Sequence, residues 1–180
     1  MKRIFLLPVI LLSLSLPSCF LFRGPPPDPT TNASYFQEKL TKLATDLSKN
    51  ATRHPRKVAV MDFVNPSGKT SQLGKYLTAK FTEISVMKSL FQTPAEGEVT
   101  KAAKQMGISY NGTMDSAAAK RLGEAIGADA IIVGTISDLQ KGSDVDLVVK
   151  IIDAKNGNVI SASSTSFLRS KQVSTMLESF

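Results

Sequence analysis

The chain has no tryptophan, one cysteine and one histidine in 180 residues. A single cysteine excludes an internal disulfide, so the folded part has to be held by a core. The lone His54 sits in the basic connector Arg53–Lys57, where a histidine is far more often solvated than a ligand. No His, Cys or acidic residues recur at metal-ligand spacing, so no metal and no cofactor is expected. Long hydrophobic runs are also missing: the apolar stretch Ile4–Leu16 is too short to span a hydrocarbon core. Charge of one sign is only mildly in excess. Lys and Arg number 22 against 15 Asp and Glu, and removal of Lys2 and Arg3 with a leader segment leaves 20 against 15. That excess is scattered and has no interleaved aromatics, so nucleic acid is not an expected partner. A surface lying near anionic headgroups or cell-wall material is the milder reading. What the chain does have is 42% hydrophobic residues, enough to bury the core of one domain carrying extensions.

The amino terminus accounts for the cysteine. Residues 1–18 combine a basic start, an apolar stretch and a small residue, Ser18, in the manner of a secretory signal peptide. Leu16-Pro17-Ser18-Cys19 resembles a bacterial lipobox, in which Cys19 is acylated and the chain is cleaved before it. One acyl chain binds a bilayer marginally, whereas two or more make a stable anchor. Phe20 follows the cysteine in place of an aspartate that would favour inner-membrane retention, so attachment to an outer membrane is expected. Residues 19–31 then form a tether stiffened by three consecutive prolines, Pro25–Pro27. At polyproline spacing it reaches no more than about 40 Å.

Beyond the tether, residues 32–52 read as an amphipathic helix. Phe36, Leu40, Leu43 and Leu47 share one face, Asn32 or Ser34 can cap the start, and Asn50 can end it. Packing on the following domain is favoured over a partner-binding or membrane-lying helix. Residues 53–180 form the domain itself. Lys57–Phe63 alternates as a strand, Asn65–Gly68 is a turn, and Ser71 caps a helix reaching about Lys88. Its inward face comprises Leu73, Leu77, Phe81, Ile84 and either Val86 or Met87. Leu90–Thr93 can be a short strand, and Glu96–Met106 a helix. Asp115 caps a helix over Ser116–Ile126 that ends at Gly127; Gly123 inside it signals a close approach to the sheet. Asp129–Ser137, apolar on both alternating faces, reads as a central strand covered on both sides. Asp144–Asp153, the Asn156-Gly157 turn and Val159–Phe167 continue as a meander, with the last strand nearer an edge. Residues 170–180 close the chain as a helix. The fold class is α/β, of α+β-like character: a mixed sheet ending in an antiparallel meander, with helices packed on it.

Two candidate sites stand against simpler readings. Gly68-Lys69-Thr70 follows a strand and precedes a helix, as in a phosphate-binding loop. Phe63 occupies the first glycine position of that motif and Pro66 has no N–H to donate, so a helix-capping turn is the better reading. Asp62, Asp129, Asp138, Asp144, Asp146 and Asp153 are candidate carboxylates, yet no complementary His, Cys or basic catalytic group accompanies them. Strand-end aspartates usually cap turns, and no catalytic residue is assigned.

Three stretches, KVAVMDFVNPSGKTSQLGKYL, SYNGTMDSAAAKRLGEAIGADAIIVGTISD and VDLVVKIIDAKNGNVISAS, resemble the FlgO family of flagellar outer-membrane lipoproteins, within a wider group containing CsgG and LpoB. The resemblance covers about residues 57–167 and is carried by packing residues. It implies a non-catalytic assembly or scaffold lipoprotein, anchored through Cys19 and facing the periplasm or cell surface, with protein partners in the flagellar apparatus or envelope. A pore would need spare transmembrane hairpins, and every strand is used by the domain. An LpoB-like activator of a cell-wall synthase needs a longer tether than about 40 Å; that role and a surface adhesin are the alternatives.

Overall fold

The computed structural model describes residues 32–95, 97–138 and 142–178; the signal peptide, Cys19 and tether expected over 1–31 lie outside them. The elements are α1 (Asn32–Lys49), β1 (Val58–Val60), α2 (Gln72–Met87), α3 (Glu98–Gln105), α4 (Ser116–Ile126), β2 (Ala130–Ser137), β3 (Asp144–Asp153), β4 (Val159–Leu168) and α5 (Lys171–Glu178). The strands form one sheet in the order β1-β2-β3-β4. β1 pairs parallel with β2, and β2, β3 and β4 are antiparallel neighbours. The sheet is therefore mixed and ends in the expected meander.

Alternation along the strands sends side chains into two cores. On one face Ala130, Ile132 and Ile136 of β2 and Val145, Leu147, Val149 and Ile151 of β3 pack with α1, α2 and α5. On the other, Ile131, Val133 and Ile152 meet α3 and α4. Helices thus flank the sheet in three layers. Phe36, Leu40, Leu43 and Leu47 are all buried, so the amphipathic face of α1 packs on the domain.

The caps form as their residues dictate. Ser71 Oγ accepts from Gly74 N at 3.2 Å and Asp115 Oδ1 from Ala118 N at 2.7 Å, satisfying amides that a helix start leaves without partners. Gly127 closes α4 in the left-handed region at φ 63°. Gly123 provides the expected close approach: a Cβ there would lie 2.4 Å from Ala154 Cβ.

The structure departs from the sequence pattern in four places. The Lys57–Phe63 strand is regular only over Val58–Val60. Met61 N still donates to Ile132 O, but Val64 N, not Phe63 N, takes Gly134 O, and Phe63 N turns to Thr78 Oγ1 at 2.8 Å. An inserted residue has shifted the ladder, as in a bulge. Leu90–Thr93 contributes one parallel bridge, Lys57 with Gln92. The next ladder donor on that segment would be residue 94, a proline, which has no N–H. Third, α3 starts at Glu98, because Gly97 at φ 77° cannot continue a helix backwards. Fourth, Val86 and Met87 are 52% and 66% exposed; the inward face of α2 closes with Ser85, whose hydroxyl donates to Phe81 O. In α5 Val173 is buried while Met176 and Leu177 pack partly against the core; Phe180 lies outside the described residues.

Gly123 yields a test in which two effects oppose. Alanine gains about 1 kcal/mol of helix propensity over glycine, but overpacking a close backbone approach costs about 1–3 kcal/mol. Gly123→Ala is expected to lower stability in urea unfolding, and adding Ala154→Gly to recover it. A stabilised single variant would show that the contact relaxes.

Candidate functional site

Five of the six candidate carboxylates separate into three groups; the sixth, Asp62, is half-buried in the wall of a cavity beside β1. Asp144 and Asp146 lie exposed on β3 and accept hydroxyl donors from Ser143 at 3.1 Å and Ser166 at 2.7 Å. Asp138, past β2, pairs with Arg169 Nη2 at 3.1 Å, a partner beyond β4. Asp129 and Asp153 converge with the 52–57 connector at the opposite end of the sheet.

That convergence is a clasp. Arg53 Nη2 donates to Asp129 O at 2.9 Å, while Arg53 Nε lies 2.8 Å from Asp153 Oδ2. The latter is a close ionic contact without a directed hydrogen bond, since Nε–H has no acceptor in line. Asp129 Oδ2 accepts from Arg56 N and Lys57 N, each at 3.1 Å. Lys57 Nζ reaches Ile126 O at 2.6 Å, a cation at the negative end of α4. Thr52 N donates to Ile160 O at 2.9 Å. The chain leaving α1 is thus tied to β2, β3, β4 and α4 within six residues, Thr52–Lys57. The backbone N–H of Lys57, chiefly, holds the Asp129 carboxyl below its ordinary range; the Arg56 N–H and the Arg53 and Lys155 charges act in the same sense. His54 is exposed.

The Gly68-Lys69-Thr70 turn is not a phosphate cradle. Asn65 Oδ1 accepts from Ser67 N and Lys69 N at 3.0 and 2.9 Å, and Asn65 O accepts from Gly68 N at 2.9 Å. The amides that would wrap a phosphate close on the turn itself.

Among the described residues, two depressions lie beside the sheet and its loops, and a third, shallower one runs along α1 at Ser34, Gln37, Glu38, Thr41 and Lys42. A cavity of about 650 Å³ between α2 and α3 beside β1 is lined by Val60, Asp62, Lys75, Thr82, Glu83 and Thr100, among others. Its Thr78 hydroxyl accepts from Phe63 N and donates to Gly74 O at 2.8 Å, Thr82 donates to Thr78 O, and Glu83 pairs with Lys80. A second, about 570 Å³ and more polar, is lined by Ser67, Ser109, Tyr110, Asn111, Thr113 and Asp115. Neither of the first two linings contains His or Cys, and the Ser67, Thr78, Thr82 and Thr113 hydroxyls in them donate to neighbouring oxygens. Among the described residues no group of His, Cys, Asp and Glu is placed to hold a metal ion, and no helix is long and apolar enough to cross a membrane.

Sequence reasoning missed Tyr110 and Arg53. Tyr110 Oη donates to Gly134 O at 2.9 Å and accepts from Gly134 N at 3.0 Å; burial raises its pKa well above the ordinary phenol value. It fills the ladder position vacated where β1 shifts register. No periodic signal marks either residue, because each acts across more than 20 residues of chain.

The fold is a mixed sheet flanked by helices on both faces, with Ser71 and Asp115 at helix starts and Arg53 at a crossing of the chain. The FlgO protein family model matches residues 41–172, and the chain belongs to the FlgO family. Solved structures share the fold. The E. coli LpoB solution structure superposes with a TM-score of 0.60 at 13% identity, covering 92% of this chain and 82% of that one. The LpoB C-terminal domain of Salmonella enterica gives 0.58 at 14%, covering 73% and 97%. Lipoprotein GNA1162 of Neisseria meningitidis gives 0.50 at 19%, covering 66% and 84%. A comparison with curated protein sequences finds no match.

Removing Arg53 leaves Asp153, whose side chain is 6% exposed, without its cation. Arg53→Ala is expected to destabilise by about 1–3 kcal/mol, below the cost of a fully buried broken pair because Arg53 itself is partly solvated. Asp129 gives a pH test. Its carboxyl is lowered from 3.8, so its ionised form stabilises the fold above that pH, and the contribution is lost as pH falls below it. The stability gap between the parent and Asp129→Ala should hold at neutral pH and narrow in acid urea titrations.

Proposed function

We propose that the protein is a lipoprotein anchored through Cys19 to the outer membrane, serving as a non-catalytic assembly or scaffold component of the flagellar apparatus or envelope. The observation that carries this reading is the FlgO family match across residues 41–172, which covers β1 through β4 and the second half of α1. It is supported by the lipobox-like Leu16–Cys19 and by the use of Ser71, Asp115, Asn65 and Arg53 to hold helix starts, a turn and a chain crossing. A domain so arranged acts by presenting surfaces to other proteins, and an anchor made of two or more acyl chains keeps it at one membrane. The fold shared with LpoB gives a second reading, an activator of a cell-wall synthase. The tether reach of about 40 Å weighs against it.

Cys19→Ser is expected to abolish acyl labelling and to remove the mature lipid-anchored form from the membrane fraction. Unchanged labelling and fractionation would sink anchoring through Cys19. Crosslinking and pulldown from membranes, with a motility assay of the deletion strain, addresses the role. Loss of motility or recovery of an envelope assembly supports the scaffold. Normal motility with recovery of a cell-wall synthase alone transfers the role to the activator.

A further inference from the structure

The outer edge of β4 is an open backbone edge. Arg169 N donates to Ser143 O, so the adjoining pair Asp144–Leu168 is of the non-bonded kind and the ladder bonds alternate from Phe167 downward. Phe167, Thr165, Ser163 and Ser161 therefore turn their N–H and C=O groups toward β3, and the intervening residues turn theirs outward. The two ends of this outward row are closed by the protein itself: Leu168 N donates to Tyr35 Oη at 3.0 Å, and Ile160 O accepts from Thr52 N at 2.9 Å. Between them, among the described residues, no backbone group pairs with the outward N–H and C=O of Ala162, Ser164 and Ser166.

Edges of this kind are normally blunted by lysine, proline, a mid-strand bulge or short length. β4 has ten residues, VISASSTSFL, with no charge and no proline, and its register shift lies at the Ile151/Ile152 end, outside the open window. Ala162, Ser164 and Ser166 are all exposed. They lie on the side of the sheet carrying α3 and α4, but those helices cover β2 and the end of β3 and leave this part bare.

We propose that this edge pairs with the same edge of a second copy, antiparallel about a two-fold axis through Ser164. In that register Ser164 faces Ser164 of the copy and Ala162 faces its Ser166, so each outward donor meets an outward acceptor. The facing side chains are small and neutral, without the like-charge opposition that destabilises cross-strand pairs. A copy fits better than a foreign strand for a physical reason. A foreign strand would itself present a new open edge, whereas isologous pairing satisfies both windows at once and leaves none. The window also has the same length on both partners, because Tyr35 and Thr52 bound it identically in each. The pairing stands apart from anchoring through Cys19.

The test uses the full chain carrying Cys19→Ser, so that no disulfide can run through the native cysteine and the two ideas fail separately. A directly bonded antiparallel pair has Cα atoms about 5.5 Å apart, within disulfide reach. Ser164→Cys is therefore expected to shift the chain to dimer mass on non-reducing gels under mild oxidation. Ala162→Cys alone, with its copies about 13 Å apart along the strands, should stay monomeric, while Ala162→Cys with Ser166→Cys should link. Gln105→Cys, exposed on α3, sets the collisional background. Ser164→Lys should lower the mass seen in sedimentation from dimer to monomer, and its melting temperature should match that of the parent only at dilutions where the parent is itself monomeric. The proposal is overturned if Ser164→Cys links no faster than Gln105→Cys, if Ala162→Cys links as readily, or if Ser164→Cys is captured by a different protein.

Discussion

The structure depends on the seating of Phe63 between two glycines. Its ring is fully buried, and a Cβ on Gly134 would lie 2.2 Å from it. A Cβ on Gly74 would lie 2.2 Å from the Phe63 carbonyl oxygen. The ring therefore sits directly on the β2 backbone, and the first turn of α2 rests on the chain at Phe63. Interiors pack at crystal-like density, so these contacts set the spacing between α2 and the sheet. The same seating breaks β1. To direct Phe63 inward, the strand shifts register, and Phe63 N–H and Gly134 N–H lose their regular ladder partners. Thr78 Oγ1 takes the first and Tyr110 Oη the second, at 2.8 and 3.0 Å. A buried backbone donor without a partner would cost about 1–3 kcal/mol, so the two hydroxyls are a consequence of where the ring lies.

At the far end of the sheet the Arg53 clasp has the complementary task. α1 is joined to the domain by a short connector, and its apolar face supplies Phe36, Leu40, Leu43 and Leu47 to the larger core. Arg53, Lys57 and the Thr52 amide fix that connector on four other elements. Tyr35 Oη holds the other end of α1 to Leu168 N. A helix that could have lain on a membrane or a partner is in this way held over β4 from both ends, and the open stretch of the β4 edge lies between those attachments.

These arrangements bear on function by what they occupy. Of the candidate carboxylates, Asp129 and Asp153 hold a crossing of the chain, Asp138 pairs with Arg169, and Asp144 and Asp146 accept from serine hydroxyls. The loop resembling a phosphate site folds on Asn65. What is left available is surface: a groove beside β1, a polar depression near Tyr110, and the bare part of the sheet at β3 and β4.

Most of the elements and the fold class are legible along the chain. Strict 3.6-residue spacing in α1, the Ser71 and Asp115 caps, Gly127, and the two-sided apolar run of β2 are local signals, and each acts within a few residues of itself. Gly123 was legible too, because a glycine inside a helix needs a reason. The candidate carboxylates were legible as residues, though not as neighbours. Tertiary structure alone decided that Asp129 and Asp153 share Arg53, that Tyr110 completes β2, that β1 shifts at Phe63, and that Val86 and Met87 face outward. Each of these depends on groups that meet only after long loops have closed, and no spacing along the chain encodes which atoms will then lie within 3 Å. Cys19 is the converse case: its local sequence alone speaks for lipidation, and it lies outside the described residues.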